Sequence, residues 1–321
     1  MSEEGSPAPG SGLAALTAST TLLQAAETFV LYMANEAFSP HTIRSFRSDL
    51  RLLGDFCGHD RPIGRIATAD LNQFLHYLLH ERGVPCSPKS YARRVTTLKV
   101  FFKWLHKGGV LPEDPAAPVI QRSVSPPLPE ILTDEEVERA LAVTYAMWTA
   151  DKPDPRPHLL LNLLLDTVMK KAECMAIRLE HIERHAAGGP WVQIRYDNPA
   201  RKTKERKLTF RPEVLDVLDD YLAQYRPGEV LFPCTPRNLE YVLSEVAERA
   251  EIRKRMKKGI SFEMLRWTGA VRDYRHGMDE VRLRQKLGIS DVTWQETQKK
   301  IKALTSPDVG SQADAAPSGV S

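Results

Sequence analysis

The sequence predicts a mainly α-helical protein with one small antiparallel β-sheet, divided into two blocks. Three observations lead there. Apolar residues recur at helical spacing through most of the chain. Two short segments, "PWVQIRYD" and "RKLTF", read as strands on either side of a basic turn. A stretch with six prolines, "GGVLPEDPAAPVIQRSVSPPLPE" (108–130), separates the first set of helices from the second. Prolines at that density favour extended backbone and a semi-rigid linker.

The elements follow in order. Residues 1–20 are rich in Ser, Gly, Ala and Pro and are expected to be a disordered tail, as is 305–321. The first block, 21–107, reads as four helices. The first covers about 21–35. The second begins "FSPHTIRSFRSDL", with Ser39 as N-cap and Pro40 at the first helical position. Ile43, Phe46, Leu50 and Leu53 form its apolar line, and Arg44, Arg47 and Arg51 fall on another face. "TADLNQFLHYLLHERG" follows, capped by Thr68 or Asp70. The fourth, "SPKSYARRVTTLKVFFKWL", repeats the Ser-Pro start at Ser87 and Pro88. Its apolar line is Tyr91, Val95, Leu98, Phe102 and Leu105, with Lys89, Arg93, Lys99 and Lys103 off that line.

The second block, 131–304, mixes helices with the small sheet. Thr133 and Glu136 make a capping box. "HLLLNLLLDTVMKKAECMAIRLEHI" reads as a buried helix, a break and a second helix. The two strands flank the turn "NPARKTKE". Five further helical stretches follow, among them "SFEMLRWTGAVRDYRHG".

Composition narrows the function classes. The chain has 321 residues, 42% hydrophobic and 26% charged, enough to build two cores. No run of apolar residues is long enough to span a membrane, and the N-terminus has no basic region ahead of an apolar one. Cys57, Cys86, Cys174 and Cys234 are scattered without a CxxC or Cys/His spacing, which suits a reducing cytosol. His181 and His185 are four apart but have no third ligand nearby, so no metal or other cofactor is expected. The net charge is +3. Its distribution says more: residues 21–107 carry 12 Lys/Arg against 7 Asp/Glu, and residues 201–300 carry 22 against 16. "RKTKERK" (201–207) and "RKRMKK" (253–258) each hold five bases. Two basic regions suit a polyanion; two solvated faces would leave the same pattern.

The order of these elements resembles the Xer-type tyrosine recombinase (phage integrase) family over nearly all of 20–304. "FSPHTIRSFRSDL" and "SPKSYARRVTTLKVFFKWL" carry the likeness in the first block, which corresponds to that family's helical core-binding (SAM-like) domain. The second corresponds to its α+β catalytic domain. The resemblance implies a phosphoryl-transfer site in which two arginines and a His or Lys hold the phosphate, a hairpin lysine protonates the leaving oxygen, and a tyrosine on the last helix attacks.

Carried over position by position, that site is degenerate. "TVMKKAE" puts Lys170 where the first arginine belongs and retains Glu173. The hairpin lysine falls on Lys202 or Lys204. "EMLRW" puts Glu263 in the place of a histidine, Arg266 on the second arginine, and Trp267 after it. "LGIS" puts Ile289 where a histidine belongs, and the nucleophile's place falls on Gln298. No register shift restores a nucleophile: the last of the nine tyrosines is Tyr274. Glu263 is expected to pair with Arg266 or Lys170.

The expected function is double-stranded DNA binding by a catalytically inactive family member, a pseudoenzyme of DNA recombination, integration or regulation in the cytoplasm. Its phosphate contacts are expected from Arg44, Arg47, Lys89, Arg93, Lys202, Lys204, Arg253, Lys254 and Arg266. An intact recombinase or a second copy are further partners; a membrane is not. Two alternatives stay open: an active recombinase that takes its tyrosine in trans from an intact partner, and a protein-interaction module without DNA binding.

Overall fold

The computed structural model describes residues 13–120, 127–252 and 259–306. The backbone divides into two compact units, one ending at Pro127 and the other beginning at Leu128.

The first unit is helical. Its long helices are α1 (Leu22–Asn35), α2 (Pro40–Cys57), α3 (Thr68–His80) and α4 (Pro88–Lys107). Ser39 and Ser87 cap α2 and α4 as their sequences predict, each accepting a backbone N–H three residues on at 3.1 and 3.2 Å. α3 begins differently. Its N-cap is Ala67, and Asp70 caps from inside the helix by accepting the Ala67 N–H at 2.8 Å. Arg61 clamps the same carboxylate at 2.8 Å. Phe29, Phe46, Phe101 and Trp104 meet in the core, Phe29 stacking on Phe46 and meeting Phe101 edge to face.

Both flanks of this unit differ from the sequence reading. Leu13 is buried in the core that was expected to begin at residue 21, and the carbonyls of Ala18 and Thr20 accept backbone N–H groups from Gly64 and Ile63. Residues 108–120, expected to be linker, fold back instead: Val110, Leu111, Ala116 and Val119 are buried in the same core. Thr68 donates its hydroxyl to the Pro115 carbonyl at 2.8 Å. Counting prolines hid the apolar residues between them.

The second unit opens with α5 (Asp134–Trp148), where Thr133 and Glu136 form the predicted capping box. α6 (Arg156–Thr167) buries leucines all round: Leu159, Leu160, Leu161, Leu163, Leu164 and Leu165. It stops at Val168, whose φ of 48° lies in the left-handed region. α7 (Lys171–Met175) follows. The sheet is antiparallel, with strands β1 (Ile182–Glu183), β2 (Trp191–Ile194) and β3 (Arg206–Thr209) in that order. Val192 pairs with Leu208 and Ile194 with Arg206, so these four share a face and turn Val192, Ile194 and Leu208 into the core. β1 is a third strand that the sequence did not suggest. The basic turn is a 3₁₀ helix, Pro199–Lys204.

α8 (Val214–Tyr225), α9 (Pro236–Arg249), α10 (Phe262–Arg275), α11 (Glu280–Leu287) and α12 (Asp291–Thr305) complete the unit. α10 crosses α6 at Gly269, where a Cβ would stand 2.6 Å from the Leu165 carbonyl oxygen. α12 packs Ile301 and Leu304 onto Val271, Leu283 and Leu287 in a smaller apolar cluster.

Candidate functional site

The site grows from the break after α6. Thr167 ends that helix, and the Val168 carbonyl turns to accept a hydrogen bond from Arg266 on α10. A second Arg266 N–H goes to the Leu287 carbonyl at the end of α11. Arg266 is 8% exposed, and burial pushes its guanidinium below the ordinary arginine value, with Glu173 and Glu263 opposing the shift. One arginine on α10 thus ties together the ends of two other helices, α6 and α11.

Lys170 caps α7 with its backbone. Its N–H donates to Glu173 at 2.8 Å, and its Nζ donates to the Gly288 carbonyl at 3.1 Å and lies 3.7 Å from Glu173. Burial pushes its ammonium below the ordinary lysine value, and Arg266, Arg206 and Lys204 add to the shift against Glu173. Glu173 is buried, which by itself would raise its pKa. Bonds from both Arg206 amino groups, at 2.9 and 3.1 Å, from the Lys170 N–H and from the Tyr196 hydroxyl override burial and hold it at about 2. Arg206 also donates Nε to the Lys286 carbonyl at 2.8 Å. Gly288, at φ 58°, leaves room for that guanidinium; a Cβ there would meet it at 2.5 Å.

Lys170, Glu263 and Arg266 line one cavity of about 560 Å³, together with Lys171, Arg237 and Tyr241. Lys171 pairs with Glu240 at 2.8 Å, and Arg237 donates to the Tyr241 hydroxyl at 2.8 Å. Glu263 does not pair with Arg266 or Lys170. It is exposed and accepts the Trp267 indole N–H one turn on, at 2.9 Å. The two cations expected to neutralise it are already satisfied by backbone carbonyls, and the indole four residues on shares its helix face.

The remaining positions lie apart from this cavity. Lys202 and Lys204 are exposed on the basic turn. Lys204 and Ile289 line a separate cleft with Arg206 and Arg284. Gln298 on α12 donates its amide to Glu280 on α11. In the first unit Arg44, Arg47 and Lys89 are exposed. Arg93 is not a free cation: Asp49, buried on α2, accepts its Nε at 3.0 Å and its amino group at 2.7 Å. The Thr97 hydroxyl donates to the same carboxylate at 3.0 Å, and Arg94 lies 3.6 Å away. A buried carboxylate on one helix takes the nearest arginine of the next. Arg253 and Lys254 lie outside the described residues.

Arg206 is the functional-site residue that the sequence reading missed. The signal was present, because Arg206 stands two residues before buried Leu208 in a strand and therefore shares its inward face. Among the described residues no group of three or more His, Cys, Asp or Glu is placed to hold a metal, and no helix is long and apolar enough to cross a membrane.

Comparison with known proteins bears on this geometry. Residues 26–109 match the phage integrase N-terminal SAM-like domain. A tyrosine recombinase XerC of Oceanobacillus iheyensis is 26% identical over 244 residues, covering 70% of this chain and 76% of that one. A tyrosine recombinase XerD of Listeria innocua is 22% identical over 298 residues, covering 87% and 94%. Among solved structures, XerH site-specific recombinase bound to palindromic difH substrate superposes with a TM-score of 0.68 at 17% identity, covering 92% of this chain and 90% of that one. A lambda integrase dimer bound to a COC' core site gives 0.63 at 16%, covering 87% and 77%. At those identities the structural likeness speaks to fold.

Proposed function

We propose, because the chain belongs to the Xer-type tyrosine recombinase (phage integrase) family, that it binds double-stranded DNA through phosphate contacts and does not itself form a covalent DNA intermediate. One observation carries the second half. The last tyrosine is Tyr274 on α10, and Gln298 on α12, which the resemblance sets at the nucleophile's place, has its amide engaged by Glu280. An amide does not attack a phosphodiester. Thr297, the neighbouring hydroxyl, donates to the Thr293 carbonyl at 2.8 Å, and among the described residues no basic side chain accepts its proton.

Binding is a separate matter from cleavage. The cavity beside α10 keeps Lys170, Lys171, Arg237 and Arg266 around a space large enough for a phosphodiester. Lysine at 170 supplies a point charge without the bidentate fork of arginine, which supports holding a phosphate more than stabilising a pentavalent one. Arg44, Lys89, Lys202 and Lys204 offer further exposed charges. Such contacts position a protein on a duplex without reading its sequence.

The test has two arms. Fluorescence anisotropy on one duplex, across a salt series, should show affinity falling steeply: with about six phosphates neutralised, log K against log salt has a slope near −5. Arg44→Glu and Lys204→Glu should each weaken binding and flatten the slope. A suicide substrate should then yield no denaturation-resistant adduct, with wild type or with Gln298→Tyr alone. A flat salt response removes the binding half. An adduct mapping to a tyrosine of this chain removes the other.

A further inference from the structure

The first unit has a groove between α1 and α2 with a volume of about 510 Å³. Leu22, Ala26, Val30 and Leu50 form its floor, and Leu23 stands 45% exposed at its lip. Its rims carry opposite charge. Arg47 and Arg51 sit one turn apart on α2, and Glu27 faces them from α1. His59, at the end of the groove, is bonded to Asp55 at 2.9 Å.

The arginines set this groove apart from an ordinary apolar dent. Arg61, Arg93 and Arg94 are each held near a carboxylate, and of the arginines in this unit without one, Arg47 and Arg51 are those that line the groove. Among the described residues Arg47 and Arg51 have no ion-pair or hydrogen-bond partner. Unpaired guanidinium groups beside an apolar slot suit a ligand that brings carboxylates and aliphatic side chains together. A DNA duplex brings phosphates for the rim and nothing for the floor. A helix with leucines on one face and acids beside them brings both.

We infer that this groove docks a helical segment of a partner protein, with aliphatic side chains at i, i+3 and i+7 in the slot and Asp or Glu on the flank facing α2. Glu27 sets the polarity, since the flank facing α1 must be neutral or basic. The inference stands without the DNA reading. The two meet only at Arg47, which serves one ligand at a time, so docked helix and duplex compete.

The experiment uses the full chain and two fluorescein-labelled amphipathic helices of about 18 residues, long enough to be partly helical alone. Both carry the same leucines; one has Glu and the other Lys on the flank meant for α2. The Glu peptide should bind about tenfold tighter or better, because the Lys peptide sets like charges together. Methyl NMR shifts should gather on Leu22, Leu23, Val30 and Leu50. Arg47→Glu with Arg51→Glu should reverse the preference, and Ala26→Trp should fill the slot and abolish binding with the melting curve unchanged. Several results overturn the inference: no binding by either peptide, equal binding, or binding that survives Ala26→Trp. So does loss of duplex affinity in the double arginine variant with the peptide unaffected, which would make these arginines phosphate contacts. Self-association relieved by Ala26→Trp without peptide binding would assign the groove to a second copy.

Discussion

Glu263 and Arg206 show what single side chains do in the cavity and beside it. Glu263 carries a negative charge at its mouth and spends one oxygen on the Trp267 indole. Glu263→Gln keeps that acceptor and removes only the charge. A like charge about 4 Å from a phosphate costs roughly 1 kcal/mol in a water-like medium, so duplex affinity should rise up to about fivefold, most at low salt. Anisotropy at two salt concentrations checks this, and an unchanged affinity would place the bound backbone away from α10. Arg206 works through Glu173. With its pKa held at about 2, below the ordinary 4.5, Glu173 contributes stability that is present above pH 4.5 and lost as pH falls towards 2. Arg206→Ala removes both guanidinium bonds and leaves the Lys170 N–H and the Tyr196 hydroxyl to oppose burial, so the Glu173 pKa rises. The variant should lose about 3–5 kcal/mol at pH 7, and the loss should shrink at pH 3, where the stranded carboxyl takes up a proton. Denaturant titrations at the two pH values read the difference.

Helices in this protein are joined by buried polar groups as much as by apolar faces. Asp49 fastens α2 to α4 through Arg93, Thr97 and Arg94. Asp49→Ala should destabilise the chain by about 3 kcal/mol, because it removes the buried carboxylate that Arg93, Thr97 and Arg94 share. Thermal melts should show the loss whether or not DNA is present, which separates this role of Arg93 from phosphate binding. The helices themselves were legible from caps and periodicity: Ser39, Ser87 and Thr133 announce α2, α4 and α5, and the leucines of α6 announce a buried element. What tied them was not. Asp49 reads as a polar residue on an amphipathic helix, and its partners lie 44 to 48 residues away. Sequence periodicity speaks for one helix at a time and says nothing of such pairs. The Glu263–Trp267 bond lies within one helix and was hidden for another reason: Arg266, an opposite charge on the same face, was the more obvious partner.

At the scale of the whole molecule, the two blocks and their small sheet were readable from the order of elements, and the edges of the blocks were not. Prolines at 112, 115 and 118 suggested free chain, yet Val110, Leu111, Ala116 and Val119 between and beside them complete the first core. Each buried aliphatic side chain contributes roughly 1.5–3 kcal/mol, against a typical total of about 5–15. A fragment covering residues 1–120 should therefore fold cooperatively, and one covering 1–107 should be largely unfolded at room temperature. Circular dichroism and a denaturant titration on the two fragments decide it. Equal stability would return 108–120 to the linker.

Gly269 has a mechanical meaning. With no side chain there, α10 rests its backbone on the last turn of α6, and any slide of α10 along its axis would drive neighbouring side chains into the Leu165 carbonyl. Arg266 further ties α10 to the ends of α6 and α11, and Arg206 ties β3 to the end of α11. On the proposed reading, a phosphate would meet side chains that are already held in place and would enter the cavity at little reorganisation cost.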